Sequence, residues 1–205
     1  MGMEAPALSL LAPVVVALFL SFTIVAGDCR GARWSMTMEA ACREACGTAE
    51  AAMYQLCLDT LRDGGGDTPA GAVDDAGEYA YHAVWRALWA YLDTMGRAWH
   101  FLGDAARLAG DEEAAYAFCV GGRYQEAEAA MDRVRSRLPD HCGADVAGEY
   151  KRALRDVAAC RDRVARLPAS PLLAMVQADY NRTQLAYLLG KLIGVKKVAT
   201  WYGKR

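Results

Sequence analysis

Between Tyr81 and Leu102, apolar side chains recur at steps of three and four: Tyr81, Val84, Trp85, Leu88, Leu92, Met95, Trp99 and Leu102. That spacing lays one stripe along a helix of about six turns, and so long a stripe has to be covered by other elements. Three comparable segments follow. Tyr116, Cys119, Val120, Tyr124, Ala127, Met131, Val134 and Leu138 make the second, which Pro139 ends because proline cannot continue the hydrogen-bond ladder. Tyr150, Leu154, Val157, Cys160, Val164 and Leu167 make the third. The fourth opens on Ser170 as N-cap with Pro171 at the first helical position and runs through Leu185, Leu188, Leu189, Leu192 and Ile193. Four amphipathic helices joined by short links bury their stripes against one another, so the expected class is all-α: an antiparallel four-helix up-and-down bundle. Composition agrees. The 205 residues are 54% hydrophobic and 23% charged with a net charge of -2, which argues against a disordered chain and against a polycationic nucleic-acid binder.

The first segment sets the compartment. Residues 5–26 carry no charge, and Val25-Ala26-Gly27 supplies small or short side chains just before Asp28 and Arg30. This reads as a signal peptide, residues 1–27, cleaved near Gly27; the run is also long enough to span a bilayer, so an uncleaved N-terminal membrane anchor is the alternative. Cleavage removes Glu4 and no base, which moves the net charge from -2 to -1. Either way the remainder, 28–205, lies outside the cytosol, where its seven cysteines can oxidise.

Ahead of the bundle, expected over about 74–203, residues 36–61 read as a short helical hairpin broken at Gly47. The Gly- and Asp-rich stretch 62–71 reads as a connector, and the basic C-terminal tail as solvated. Cys119 and Cys160 sit on the stripes of consecutive helices, so a bridge between them would cross-link the core and contribute about 4 kcal/mol by loop closure; one between Cys46 and Cys57 would clamp the hairpin, at about 3 kcal/mol. Cys42 and Cys142 are a possible additional pair, which leaves Cys29 odd. A zinc site from Cys42, Cys46, His141 and Cys142 lacks the two close ligand pairs of a tetrahedral centre, so no metal and no cofactor is expected. No nucleophile elbow and no phosphate-binding loop is present, and no catalytic residue is assigned. The acids Asp74-Asp75 and Glu112-Glu113 fall at helix starts, where the macrodipole favours them. Among the aromatics Trp85, Trp89, Tyr91 and Trp99, the pair Trp89 and Tyr91 falls off the main stripe, and an exposed one would be a candidate partner anchor. Asn181, the only asparagine, begins an Asn-Arg-Thr glycosylation sequon.

The ordered set Cys46…Tyr54-Gln-Leu-Cys57-Leu-Asp-Thr-Leu61, Ala115-Tyr-Ala-Phe-Cys119…Tyr124…Ala127, Ala158-Ala-Cys160-Arg-Asp162 and Ser170-Pro171-Leu resembles the plant invertase and pectin methylesterase inhibitor family. The resemblance spans about residues 36–195. It departs from the family in the longer interval from Cys46 to Cys57, in a Tyr124 set one residue further from Cys119 beside Gly121-Gly122, and in Val164 where the family favours Phe.

The resemblance implies a four-helix bundle with an N-terminal hairpin and two disulfides. It also implies a secreted, non-catalytic protein that forms a one-to-one complex with a cell-wall enzyme and covers its active-site cleft, with the middle bundle helices as contact face. Exposed candidates there are Glu126, Arg133, Arg137, Lys151, Arg155, Asp162 and Arg163. Of the family's two targets, acid invertase is met by a Pro-Lys-Phe segment; this chain has Leu138-Pro-Asp-His-Cys142 in that region, so pectin methylesterase is favoured and invertase is the alternative. A non-inhibitory structural bundle, secreted or membrane-tethered, is a further reading.

Overall fold

The computed structural model describes residues 35–47, 51–62, 75–104, 108–138, 146–167 and 169–194. The signal or anchor segment, Cys29, most of the connector, His141, Cys142 and the basic tail lie outside the described residues.

Helix α1 (Met38–Cys46) is capped by Thr37, whose Oγ1 accepts from the Ala40 amide, and ends at Gly47, whose φ of +67° suits a residue without Cβ. Helix α2 (Ala51–Arg62) returns beside it. Helix α3 (Ala76–Gly103) begins where Asp75 Oδ1 accepts from the Gly77 amide at 2.7 Å. Helix α4 (Gly110–Phe118) passes through a π-helical turn (Cys119–Arg123) into α5 (Tyr124–Arg137) without a break. Helix α6 (Ala147–Val164) and α7 (Leu172–Leu192) complete the bundle. Ser170 Oγ accepts from the Leu172 amide and is shared with the Tyr116 hydroxyl, so the cap locks α7 to α4. The bundle is antiparallel, with α3 against α7 and α5, α6 against α5 and α7, and the α1–α2 hairpin lying on α7 and α3. Among the described residues no helix is long and apolar enough to cross a membrane.

The core is filled by tyrosines and small residues. Tyr91, Tyr116, Tyr124 and Tyr150 are fully buried, and Tyr150 fits only because Gly190 faces it: a Cβ there would meet the hydroxyl oxygen at 2.9 Å and the ring at 3.0 to 3.1 Å. Helix α3 departs from the expected stripe. Val84 and Leu88 of that stripe are buried, but the rest of the inward row is Ala80, Ala83, Ala87, Tyr91, Thr94 and Ala98, while Leu92 is 44% exposed and Trp99 55%; Trp89, expected off the stripe, is 61% exposed. Alanines let α3 approach its neighbours closely, which leaves no room for indoles inside; Tyr91, placed off the stripe by periodicity, is inward because its hydroxyl finds a partner on α7, Thr183.

Two bridges are formed among the described cysteines. Cys119 is joined to Cys160 (Cα–Cα 5.1 Å), and Cys57 is joined to Cys42 (Cα–Cα 5.7 Å). The hairpin pairing therefore corrects the one expected from Cys46, and with Cys42 engaged the Cys42–Cys142 bridge is ruled out. Cys42 and Cys46 share a face one turn apart, and the register of the two antiparallel helices chooses between them. Cys46 Sγ meets the Met53 carbonyl at 3.6 Å, and stepping four residues back on α1 and four forward on α2 brings Cys42 to Cys57.

The π turn explains the displaced Tyr124. Its amide donates to the Cys119 carbonyl, five residues back, so the helix holds one residue more than an α turn would. Cys119, Val120 and Tyr124 are all buried as a result, and the faces before and after the insertion stay aligned. Neither Gly121 nor Gly122 has an atom within 4 Å of a built Cβ, so space does not demand glycine there. Deleting Gly122 should convert the turn to α geometry and leave the melting temperature within a few degrees, a change of about 1 kcal/mol or less. Deleting Ala129 from α5 should instead rotate the following residues by about 100° and abolish cooperative melting. Circular-dichroism melts of the two deletions decide; equal damage from both would refute this account of the turn.

Candidate functional site

The middle helices present the candidate face, and its centre is the π turn. Because that turn ends at Arg123, the guanidinium swings across to α6 and pairs with Asp156 at 3.0 Å, while its carbon lies 5.1 Å from the ring centroid of Phe118. Asp156 is buried and also meets Arg155, at 3.7 Å. One end of the face is held by Arg133, whose Nη2 sits 2.9 Å from Glu149; Arg152 approaches the same carboxylate at 4.0 Å. The Cys119–Cys160 bridge lies in the core beneath. On the N-terminal side of the Arg123 pair, Phe118 is 39% exposed and Gly121 leaves bare backbone at the surface.

Of the candidates named from sequence, Arg155 joins the Arg123–Asp156 cluster, Arg133 is engaged by Glu149, and Asp162 pairs with Arg161 at 2.8 Å. Glu126, Arg137, Lys151 and Arg163 are exposed on the same pair of helices. Helix α6 carries five cationic residues, Lys151, Arg152, Arg155, Arg161 and Arg163, against Glu149, Asp156 and Asp162. Such a face can present guanidinium groups, two of them fixed by buried or half-buried acids, to carboxylates of a partner. Sequence reasoning passed over Arg123, Phe118 and Asp156; an acid between Ala153, Val157 and Cys160 on the inward side was the available signal.

Behind this face a polar cluster ties three helices together. Asp179 on α7 is 1% exposed, and its Oδ2 accepts from Thr94 Oγ1 of α3 at 2.6 Å and from the Tyr124 hydroxyl of α5 at 2.7 Å. Thr183 donates to the Asp179 carbonyl, so the Tyr91 hydroxyl is the donor to Thr183. Burial pushes the Asp179 carboxyl up to about 6, against the pull of Thr94, Tyr124 and Arg182, the last at 3.5 Å. Burial likewise pushes the Tyr91 and Tyr124 hydroxyls up, which keeps them as donors. Among the described residues no group of His, Cys, Asp and Glu is placed to hold a metal ion.

The helical arrangement as a whole has known counterparts. The fold is that of a pectin methylesterase inhibitor. A mutant form of such an inhibitor from Arabidopsis superposes with a TM-score of 0.60 at 15% identity, over 77% of this chain and 97% of that one. A second structure, a pectin methylesterase inhibitor from Arabidopsis thaliana, gives 0.52 at 15% identity, over 77% and 98%. No family model matches the sequence, and no curated protein matches it. The likeness uses nearly the whole length of each inhibitor and about three quarters of this chain.

Asn181 lies on α7, half-buried, with its Oδ1 accepting from Gln177 at 3.0 Å. It lines a shallow cavity of about 320 Å³ between α7 and α2, with Ala52, Met53, Leu56, Ala178 and Gln184.

Proposed function

We propose that this chain is a secreted, non-catalytic inhibitor that binds pectin methylesterase one-to-one and occludes its active-site cleft with the α4–α6 face. Residues 1–27 serve as its signal peptide and 28–205 as the inhibitory domain. The observation that carries the reading is the fold shared with two pectin methylesterase inhibitor structures, on which this chain carries a face of paired charges where buried Asp156 holds Arg123 and meets Arg155. A cross-linked bundle loses little conformational entropy on binding, so contacts made by that face count toward affinity.

Titrating the disulfide-intact protein against purified pectin methylesterase should give an inhibition curve that breaks at equimolar protein, with acid invertase unaffected. Arg123→Glu with Arg155→Glu should weaken inhibition by about 100-fold or more, since both charges that Asp156 positions on the proposed contact face are reversed. Inhibition of invertase alone would move the reading to the alternative target, and inhibition of neither would favour a structural role. In the glycosylation reading, Asn181 is a candidate site, checked by the mass shift on glycosidase treatment.

A further inference from the structure

Asn181 and Thr183 are the two chemical ends of the Asn-Arg-Thr sequon, and α7 turns them apart. Residues two apart on a helix point about 200° from one another, whereas on an extended strand they share a side. Asn181 is half-buried, its Oδ1 accepting from Gln177 at 3.0 Å. Thr183 points into the core and is 0% exposed. Its hydroxyl is used twice there: it donates to the Asp179 carbonyl at 2.6 Å and accepts from the Tyr91 hydroxyl of α3.

Modification at such a sequon is a group transfer. Asn181 Nδ2 attacks C1 of an oligosaccharide carried on a polyprenyl diphosphate; the N–C1 bond forms, the C1–O bond to the diphosphate breaks, one amide proton passes to a base of the transferase, and polyprenyl diphosphate leaves. The transferase has to hold the amide and the hydroxyl in one site, which asks for both on the same side of an extended chain. Neither condition is met in the folded protein. Meeting them requires the middle of α7 to unwind and Thr183 to leave Tyr91 and Asp179, although α7 packs against α3, α6 and both hairpin helices.

We propose that Asn181 accepts an N-linked glycan only while α7 is open, and that folding closes the site by turning the Thr183 hydroxyl into the core. The glycan content of the protein therefore records the order of two events, modification and closure. This rests on export through a compartment that holds such a transferase, as proposed above, but the test below uses purified components and stands or falls apart from that reading.

The chain from residue 28, made where no such transferase is present, is offered to purified oligosaccharyltransferase with its polyprenyl diphosphate-linked donor in two forms. One is native with its disulfides intact; the other is reduced and alkylated, its loss of cooperative melting checked by circular dichroism. Intact mass should show the glycan on the alkylated chain, and the native protein should gain it at least about 100-fold more slowly. Asn181→Gln should abolish the gain. As a second measurement, Ser35→Asn in the Asn181→Gln background places a sequon ahead of α1, where residues 35 and 37 are both exposed and Thr37 is extended. The native form of that variant should be modified. Native protein modified at Asn181 within about 10-fold of the alkylated rate overturns the proposal. So does an alkylated chain that stays unmodified. A native protein that also rejects the sequon ahead of α1 overturns it too, since the folded molecule as a whole, and not Thr183, would then exclude the enzyme.

Discussion

Replacing Cys119 and Cys160 together by alanine should lower the unfolding free energy by about 4 kcal/mol, a large part of what a domain of this size has. The bridge spans 41 residues and joins consecutive helices. Removing it frees a long loop in the unfolded chain, and longer loops release more entropy. The same bridge anchors the segment from which Arg123 reaches Asp156, so the double variant should also lose inhibition at temperatures where it is partly open. Cutting both cysteines avoids leaving a thiol that could exchange with the Cys42–Cys57 bridge. Urea unfolding of the variant beside the parent protein, with Cys42–Cys57 intact in both, reads the difference; a loss under about 1 kcal/mol would show that packing alone holds the two helices.

Asp179→Ala should cost about 2–4 kcal/mol, because the Thr94 and Tyr124 hydroxyls would be left buried without their acceptor. Asp179→Asn keeps an oxygen in place and isolates the charge. The folded-state value of about 6 lies above the ordinary 3.8, so between these values the folded protein holds a proton that the unfolded chain has released. Stability from this group is therefore greatest below pH 4 and falls as pH rises through 6, by up to about 3 kcal/mol in total. The parent protein should show a urea midpoint that declines from pH 5 to pH 7, and Asp179→Asn should flatten that decline. An unchanged slope in the asparagine variant would mean that another group sets the pH response.

The class of fold was legible because four segments keep a helical period over many turns, and Thr37, Asp75 and Ser170 sit where caps belong. Two things were not. Periodicity counts apolar residues and is blind to size, so it turned Leu92 and Trp99 of α3 inward, where alanines and Tyr91 are found. It also cannot set the register of a hairpin, and Cys42 and Cys46, one turn apart on one face, are equivalent until the register is known. For the candidate face, Arg133 and Arg155 were accessible from the polar sides of two helices. Arg123 was not, since its reach depends on a widened turn that only Gly121-Gly122 hinted at. Asp179 carried a usable signal: it is the only acid between Leu172 and Leu192, on the row shared with Val176 and Thr183.

The covalent links are unevenly spread. Among the described residues one sulfur staple holds α1 to α2 and another holds the α4–α5 rod to α6, while α3 and α7, which contain no cysteine, meet through side chains alone. The molecule thus resembles two clasped pairs flanking an unfastened seam, and warming should part that seam first. Amide protons along it would then trade with solvent while both clasps still hold, so that the surface offered to a target outlasts the interior behind it.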